Sequence, residues 1–173
     1  MKITKTTTLM ALLAISGCVA NDASVSTTVS PIDGKSTTVI NGSAFSTSYI
    51  YPISGTGLGM EVAGGSVTNK DIASIVFEAS SSVGFREAFF KADGITYDLK
   101  PTKALTNFET NGYGTIATKE FLLSCSDILN VSQSSEVYLR VTFADGFVDY
   151  DVSKSKNGTD GFAMIKKIAS YCK

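Results

Sequence analysis

The stretch Val137-Tyr-Leu-Arg-Val-Thr-Phe-Ala-Asp-Gly-Phe-Val-Asp-Tyr-Asp-Val152 alternates apolar and polar residues on both sides of one Asp-Gly pair. Asp145-Gly146 suits the positive φ angles of a type I′ turn, which joins two antiparallel strands. With this pair as the loop, Val141 faces Tyr150 and Arg140 faces Asp151. One face of the hairpin is then wholly apolar, because side chains alternate along a strand. The sequence therefore predicts a hairpin that buries one face and offers an Arg140–Asp151 ion pair on the other.

A second pair, Asp93-Gly94, predicts a hairpin of the same kind, with Phe90 opposite Tyr97 on the apolar face. Phe89 then falls on the polar face of this hairpin. Two interpretations stay open for it: a single exposed aromatic residue, or a second layer of structure that covers this face.

The third pair, Asp33-Gly34, lies between the β-branched runs Val25–Val29 and Thr37–Ile40. A hairpin with a longer loop and a disordered Ser/Thr tether are both compatible with this segment. Tyr49–Tyr51 and Ala73–Ala79 are further strand candidates, because they are rich in aromatic and β-branched residues. We expect Ala73–Ala79 to pair with the strand at Phe85–Ala92 as a meander.

Two segments change to the helical period of 3.6 residues. The first is predicted to begin near Thr118, and the second lies close to the C-terminus. The predicted fold is α+β: an antiparallel sheet built from hairpins, with two helices packed on it, in the order hairpin–helix–hairpin–helix after an N-terminal β portion. The apolar stripes of the two helices are Phe121, Leu122, Cys125, Ile128 and Leu129, and Phe162, Ile165, Ile168, Ala169 and Cys172.

The N-terminus combines Lys2 and Lys5 with a short apolar run, Leu9–Ile15, which is the layout of a signal peptide. The following Ile15-Ser16-Gly17-Cys18 resembles the lipobox of bacterial lipoproteins. The resemblance implies cleavage before Cys18 and attachment to the membrane through acyl chains on that residue. It divides the chain into a signal peptide at 1–17, a lipidated cysteine and short tether at 18–24, and a single α+β domain at 25–173. An ordinary secretory signal with an incidental cysteine is the alternative.

The lipoprotein resemblance also bears on location and on the other cysteines. Val19 and Ala20 follow Cys18 with no aspartate, which in enteric lipoproteins favours the outer membrane. If Cys18 carries lipid, Cys125 and Cys172 are left as an even pair in an oxidising compartment. Because both lie on apolar helix stripes, we expect a disulfide between them; two buried thiols are the alternative.

The chain contains no histidine, which removes the Ser-His-Asp and Cys-His devices and most zinc sites. Ser153-Lys-Ser-Lys156 matches the S-x-x-K spacing, but it follows a predicted hairpin and lacks the partner motifs. Gly55-Thr-Gly-Leu-Gly59 resembles a phosphate loop, yet Met60 replaces the third glycine and Gly64-Gly65 interrupts the stretch that follows. We predict solvated loops at both places.

The acidic residues in and after the Asp145-Gly146 hairpin invite a calcium interpretation, but Lys154 stands where an EF-hand loop needs glycine. We therefore predict no catalytic residue, cofactor or metal site, and a protein that is not an enzyme. The net charge of −1 gives no reason to expect nucleic-acid binding. The acidic and amide residues of this group are Asp145, Asp149, Asp151, Asn157 and Asp160.

The expected function is that of an envelope lipoprotein whose domain binds another envelope protein. A carrier that holds a small ligand between sheet and helices is the alternative, and a histidine-free hydrolase is a third, less favoured one. The partner or ligand is not identified by the sequence.

Overall fold

The computed structural model describes residues 24–42, 49–53, 58–154 and 160–173. Within these ranges the chain is an α+β fold dominated by antiparallel sheet. The strands are β1 (Ser24–Val29), β2 (Ser36–Asn41), β3 (Tyr49–Ile50), β4 (Met60–Thr68), β5 (Ile72–Ser80), β6 (Phe85–Ala92), β7 (Ile95–Pro101), β8 (Asn107–Asn111), β9 (Gly114–Ser124), β10 (Val137–Phe143) and β11 (Gly146–Asp151), and the helices are α1 (Cys125–Gln133) and α2 (Gly161–Ser170).

All these strands belong to one antiparallel sheet in the order β1-β2-β4-β5-β9-β7-β6-β10-β11, with β3 on β4 and β8 on β9. The segment 49–53 links two strands that are far apart in this order, β4 and β11. Its first residues pair with β4 as β3, Pro52 bridges Tyr150 of β11, and the Ile53 amide donates to the Asp149 carbonyl at 2.8 Å. This segment thus covers the β11 edge at Asp149 and Tyr150, whereas β1 is an open edge among the described residues.

The core lies on one face of this sheet, because every second residue of each long strand points to that face. The largest side chains there are fully enclosed, among them Phe77, Phe90, Phe121 and Tyr150. Both helices pack on the sheet and against each other. Neither helix in the described part of the chain is long and apolar enough to cross a membrane.

The sequence predicts that Gly64 and Gly65 interrupt regular structure. In the fold they instead lie in the middle of β4. The register of β4 against β5 shifts between Val62 and Gly64, which is a β-bulge. A Cβ on Gly65 would collide with the Ser74 carbonyl oxygen and lie 2.8 Å from Cδ1 of Ile168 in α2. The glycines therefore allow neighbouring backbone and a helix to approach more closely than a side chain would permit.

The Asp93-Gly94 hairpin has the predicted register, with Phe90 opposite Tyr97. Asp93 has a φ of 46° and Gly94 a φ of 88°, so both adopt the positive values that a type I′ turn needs. Phe89 pairs with Asp98 on the solvent-facing side, as expected. The prediction of this hairpin is confirmed.

The hairpin of β10 and β11 has the predicted faces but a different register. Ala144 and Asp145 form its loop, and Gly146 pairs with Phe143. Arg140 therefore faces Asp149, and the predicted Arg140–Asp151 pair is wrong. The shift amounts to two residues, which equals the side-chain period of a strand, so the same residues remain buried.

The segment after the tether forms a hairpin rather than a disordered chain. β1 pairs with β2 along its whole length, from Ser24 opposite Asn41 to Val29 opposite Ser36. The expected meander of Ala73–Ala79 with Phe85–Ala92 does not form. β5 pairs instead with β4 and β9, while β6 pairs with β7 and β10.

The first helix begins at Cys125, seven residues after the start near Thr118 that the sequence predicts. Residues from Thr118 to Ser124 continue β9, which pairs with β5 up to Ile72–Ser124. α1 begins only at Cys125, where the Ser124 hydroxyl caps it by accepting a hydrogen bond from the Asp127 amide. The order is therefore not a simple alternation of hairpins and helices, because the pair β8–β9 intervenes.

Cys125 and Cys172 lie side by side, with their sulfur atoms 2.00 Å apart and their Cα atoms 5.3 Å apart. The arrangement joins the start of α1 to the chain just beyond the end of α2. Both residues are buried. The two residues are therefore at disulfide distance, and they are the pair expected from the sequence.

A candidate binding surface on the solvent-facing side of the sheet

The candidate site is a group of apolar and charged side chains on the face of β6, β10 and β11 that points away from the core. Cross-strand pairing sets Phe89, Arg140 and Asp149 in one row and Lys91, Tyr138 and Asp151 in the next. We call the site the aromatic surface and define it by these members: Ile53, Phe89, Tyr138, Arg140, Phe147 and Asp149.

Arg140 is the centre of the aromatic surface. Its Nε donates to Oδ1 of Asp149 at 2.6 Å and its Nη2 donates to Oδ2 at 2.8 Å, a bidentate pair. The guanidinium carbon lies 4.3 Å from the centre of the Phe147 ring and 5.8 Å from that of Phe89. The hydrogen bonds to Asp149 raise the pKa of Arg140, so the side chain stays charged at every accessible pH.

Two residues of the aromatic surface are unusually exposed for apolar side chains. Phe147 has an exposed fraction of 60% and Ile53 one of 53%. Phe147 is the second residue of β11, close to the β10–β11 turn. Ile53 ends the segment 49–53 and lies beside β11, because its amide donates to the Asp149 carbonyl. Burial of these two side chains against a partner would remove apolar area from water.

A groove of about 360 Å³ runs across this surface. Its walls carry an amine, a guanidinium, a carboxylate and two hydroxyls among apolar groups, so it offers both donors and acceptors. The residues that line it are Ile53, Phe89, Lys91, Thr96, Tyr138, Arg140 and Asp149.

A second chemical group of note is Lys119, which is only 4% exposed although its side chain carries an amine. Its Nζ donates to the carbonyl oxygens of Phe85 at 3.1 Å and Ala104 at 3.0 Å. Burial lowers the pKa of Lys119. Lys119 lies in β9, whose neighbour on one side changes from β7, which ends at Pro101, to β8, which begins at Asn107. The amine therefore hydrogen-bonds carbonyl groups beside the gap between these two neighbouring strands. We assign Lys119 a structural role.

Three of the acidic residues considered for calcium in the sequence have other partners. Asp149 binds Arg140, Asp151 accepts from Ser153 and pairs with Lys154, and Asp160 caps α2 by accepting from the Ala163 amide. Across the described ranges no three His, Cys, Asp or Glu side chains lie close enough to hold a metal ion. Asn157 lies outside the described residues.

Several other sequence candidates also fall outside the described part of the chain. These include the lipidation residue Cys18, most of the glycine-rich loop, and Ser155-Lys156 of the S-x-x-K match. Leu58, near the end of the glycine-rich loop, is described, and its carbonyl accepts a hydrogen bond from the buried Tyr150 hydroxyl at 2.8 Å. Burial raises the pKa of Tyr150.

The sequence pattern revealed only part of the aromatic surface. Phe89 stood out as an aromatic residue on a polar face, and Arg140 as a charged pair member. Ile53 carried no local signal, because its position depends on contacts with β11 that are distant in sequence. The burial of Lys119 is not predicted, because the apolar pattern of its segment indicates a helix and not a strand.

In comparisons with known proteins, no protein-family model, no curated protein and no solved structure matches the chain.

Proposed function

We propose that this chain is a bacterial envelope lipoprotein that binds another envelope protein through the aromatic surface. The anchor would be acyl chains on Cys18, in the outer membrane, as the lipobox resemblance implies. The observation that carries the binding role is the arrangement of Phe89 and Phe147 around the Arg140–Asp149 pair on a solvent-facing sheet. In this proposal the protein is not an enzyme.

The composition of the aromatic surface supports a protein partner. Aromatic residues and arginine are enriched among the residues that dominate binding energy at protein interfaces. Asp149 and the two rings hold the Arg140 side chain in one orientation before any partner arrives. Such preorganisation lowers the entropy cost of binding, because fewer side-chain rotamers are lost on association.

A small-ligand carrier is the second candidate, and the groove of about 360 Å³ favours it, since this volume lies within the range of small-molecule sites. The ligand would then sit on the outer face of the sheet. Between sheet and helices, where the sequence-based alternative placed it, Ile128, Ile165 and Ile168 are fully buried.

The test is capture of partners from detergent-solubilised envelope by the full chain and by Phe147→Ser. Ile95→Ser is the matched control, because Ile95 is 59% exposed but lies at the margin of the opposite face of the sheet, beside the buried Ala92. We expect a partner that the wild type and Ile95→Ser retain and Phe147→Ser loses. Equal capture by all three chains, or no reproducible partner, would refute the proposed role.

A ligand screen by thermal unfolding separates the two candidates. A small molecule that binds only the folded state raises Tm. A rise in wild type and Ile95→Ser that is absent in Phe147→Ser, together with no captured protein, would establish the carrier instead.

A further inference from the structure

We infer that the open edge of β1 pairs with the same edge of a second copy of this chain. The two edge strands of the sheet, β1 and β11, differ in how far other residues cover their outer side. The segment 49–53 covers β11 at Asp149 and Tyr150, and β11 also carries charged residues, whereas none of the described strands lies on the outer side of β1. A free edge exposes backbone N–H and C=O groups that can pair with another strand.

β1 lacks the features with which proteins usually block such pairing. Ser24–Val29 contains no charged residue, no proline and no bulge, and all six residues are exposed. The charges of this hairpin, Asp33 and Lys35, lie in its turn, where they pair with each other at 3.3 Å. A long, uncharged and regular edge is the form that associates with another strand.

The sequence of the edge from Val25 to Val29 is close to a palindrome, because only the exchange of Ser26 and Thr28 distinguishes it from its reverse. In an antiparallel pair related by a two-fold axis at Thr27, Val25 lies opposite Val29 of the second copy, and Ser26 lies opposite Thr28. One face then holds two valine pairs flanking a threonine pair, and the other holds hydroxyl groups only. Such a two-fold contact is isologous, so each unlike pair forms twice and like side chains meet like along the edge.

The exposed valines fit the same arrangement. Val25 is 40% and Val29 is 64% exposed. Both lie on the face of the β1–β2 hairpin that includes the buried Ile40, because Val25 pairs with Ile40. Pairing would bring the valines of the two copies together as an extension of the core face. Cross-strand contacts between β-branched residues stabilise a sheet.

The pairing register can be tested with cysteines introduced into the full chain in bacterial membranes. Thr27→Cys places two thiols directly opposite each other, at a Cα separation of about 5 Å that a disulfide spans. Ser26→Cys is the matched control: its two copies would be about 8 Å apart, too far to bond. A mixture of Ser26→Cys and Thr28→Cys chains would again place thiols opposite each other.

We expect mild oxidation to produce covalent dimers with Thr27→Cys and with the Ser26→Cys and Thr28→Cys mixture. The unmodified chain and Ser26→Cys alone should give no more than background. Equal cross-linking at positions 26 and 27, or none at 27, would overturn the inferred pairing.

A charge on the edge provides a second measurement. Thr27→Lys should convert a detergent-extracted dimer to a monomer in analytical ultracentrifugation, while the circular dichroism spectrum of the folded domain stays the same. A dimer that persists in Thr27→Lys, or a wild type that sediments as a monomer, would contradict the inference.

Discussion

Arg140 and Asp149 face each other across β10 and β11, with both carboxylate oxygens hydrogen-bonded by the same guanidinium. A hairpin loop formed by Asp145-Gly146 would pair Arg140 with Asp151 instead. The observed pair follows from the position of the loop at Ala144-Asp145. It lies at the centre of the surface to which we assign binding.

This register predicts a specific energetic coupling. A double-mutant cycle with Arg140→Ala and Asp149→Asn should give roughly 0.5 kcal/mol, since both side chains are more than a third exposed and salt screens them. The same cycle with Asp151→Asn, measured by urea unfolding, should give a value near zero. A larger coupling to Asp151 than to Asp149 would contradict the register.

Gly65 is predicted to tolerate no side chain. Gly65→Ala places a methyl group against the Ser74 carbonyl and Ile168, so β4, β5 or α2 must shift. We expect a loss of roughly 1–3 kcal/mol in the free energy of unfolding, the usual cost of overpacking. Gly112→Ala is the control, since nothing lies within 4 Å of its added Cβ. Equal stability of the two variants would show that the β4–α2 contact is looser than described.

The link between Cys125 and Cys172 should contribute measurably to stability. It closes a loop with a sequence separation of 47 residues, for which the chain-entropy model gives about 4 kcal/mol, although measured values are often smaller. Cys172→Ser, or reduction of the wild type, should therefore lower Tm by several degrees in a calorimetric scan. An unchanged Tm on reduction would mean that the thiols are not bonded in solution.

The buried amine of Lys119 predicts a pH dependence of stability. Burial lowers its pKa in the folded state below 10.5, so the unfolded chain holds the proton more tightly. Folding therefore releases a proton between the two pKa values, and stability rises with pH across that window.

The comparison with Lys119→Met isolates this effect. Unfolding in urea at several pH values from 7 to about 10 should show the wild type gaining stability relative to the variant as pH rises. The two chains differ only at this residue, so the difference between their curves reports on Lys119. Lys100→Met, which alters an exposed lysine, should follow the wild type. Parallel curves for wild type and Lys119→Met would refute the assignment.

Membrane attachment is predicted to depend on Cys18. Cys18→Ser removes the thiol that the lipobox resemblance marks for acylation, so the protein should move from the membrane pellet to the soluble fraction. Ser16→Ala keeps a small residue in the motif and should stay in the pellet. Retention of Cys18→Ser in the membrane would refute the anchor, while leaving the fold and the aromatic surface unaffected.

Local sequence was sufficient where the information is carried by adjacent residues. Asp93-Gly94 specified its turn, because positive φ at two consecutive positions is satisfied by few residue pairs. The alternation in β10 and β11 specified which side chains are buried. The apolar stripe of the last helix likewise predicted the buried face of α2.

Tertiary structure decided what adjacent residues leave open. The segment from Thr118 to Ser124 has an apolar pattern compatible with a helix, yet it forms a strand because β5 supplies a full ladder of hydrogen bonds. The loop at Ala144-Asp145, the approach of Ile53 to β11 and the burial of Lys119 depend in the same way on distant partners. The sequence by itself determined the Asp93-Gly94 turn and the buried faces of β10, β11 and α2, since these follow from backbone sterics and side-chain periodicity. Strand order, register and the aromatic surface arose only from long-range pairing, whose free energy no local pattern contains.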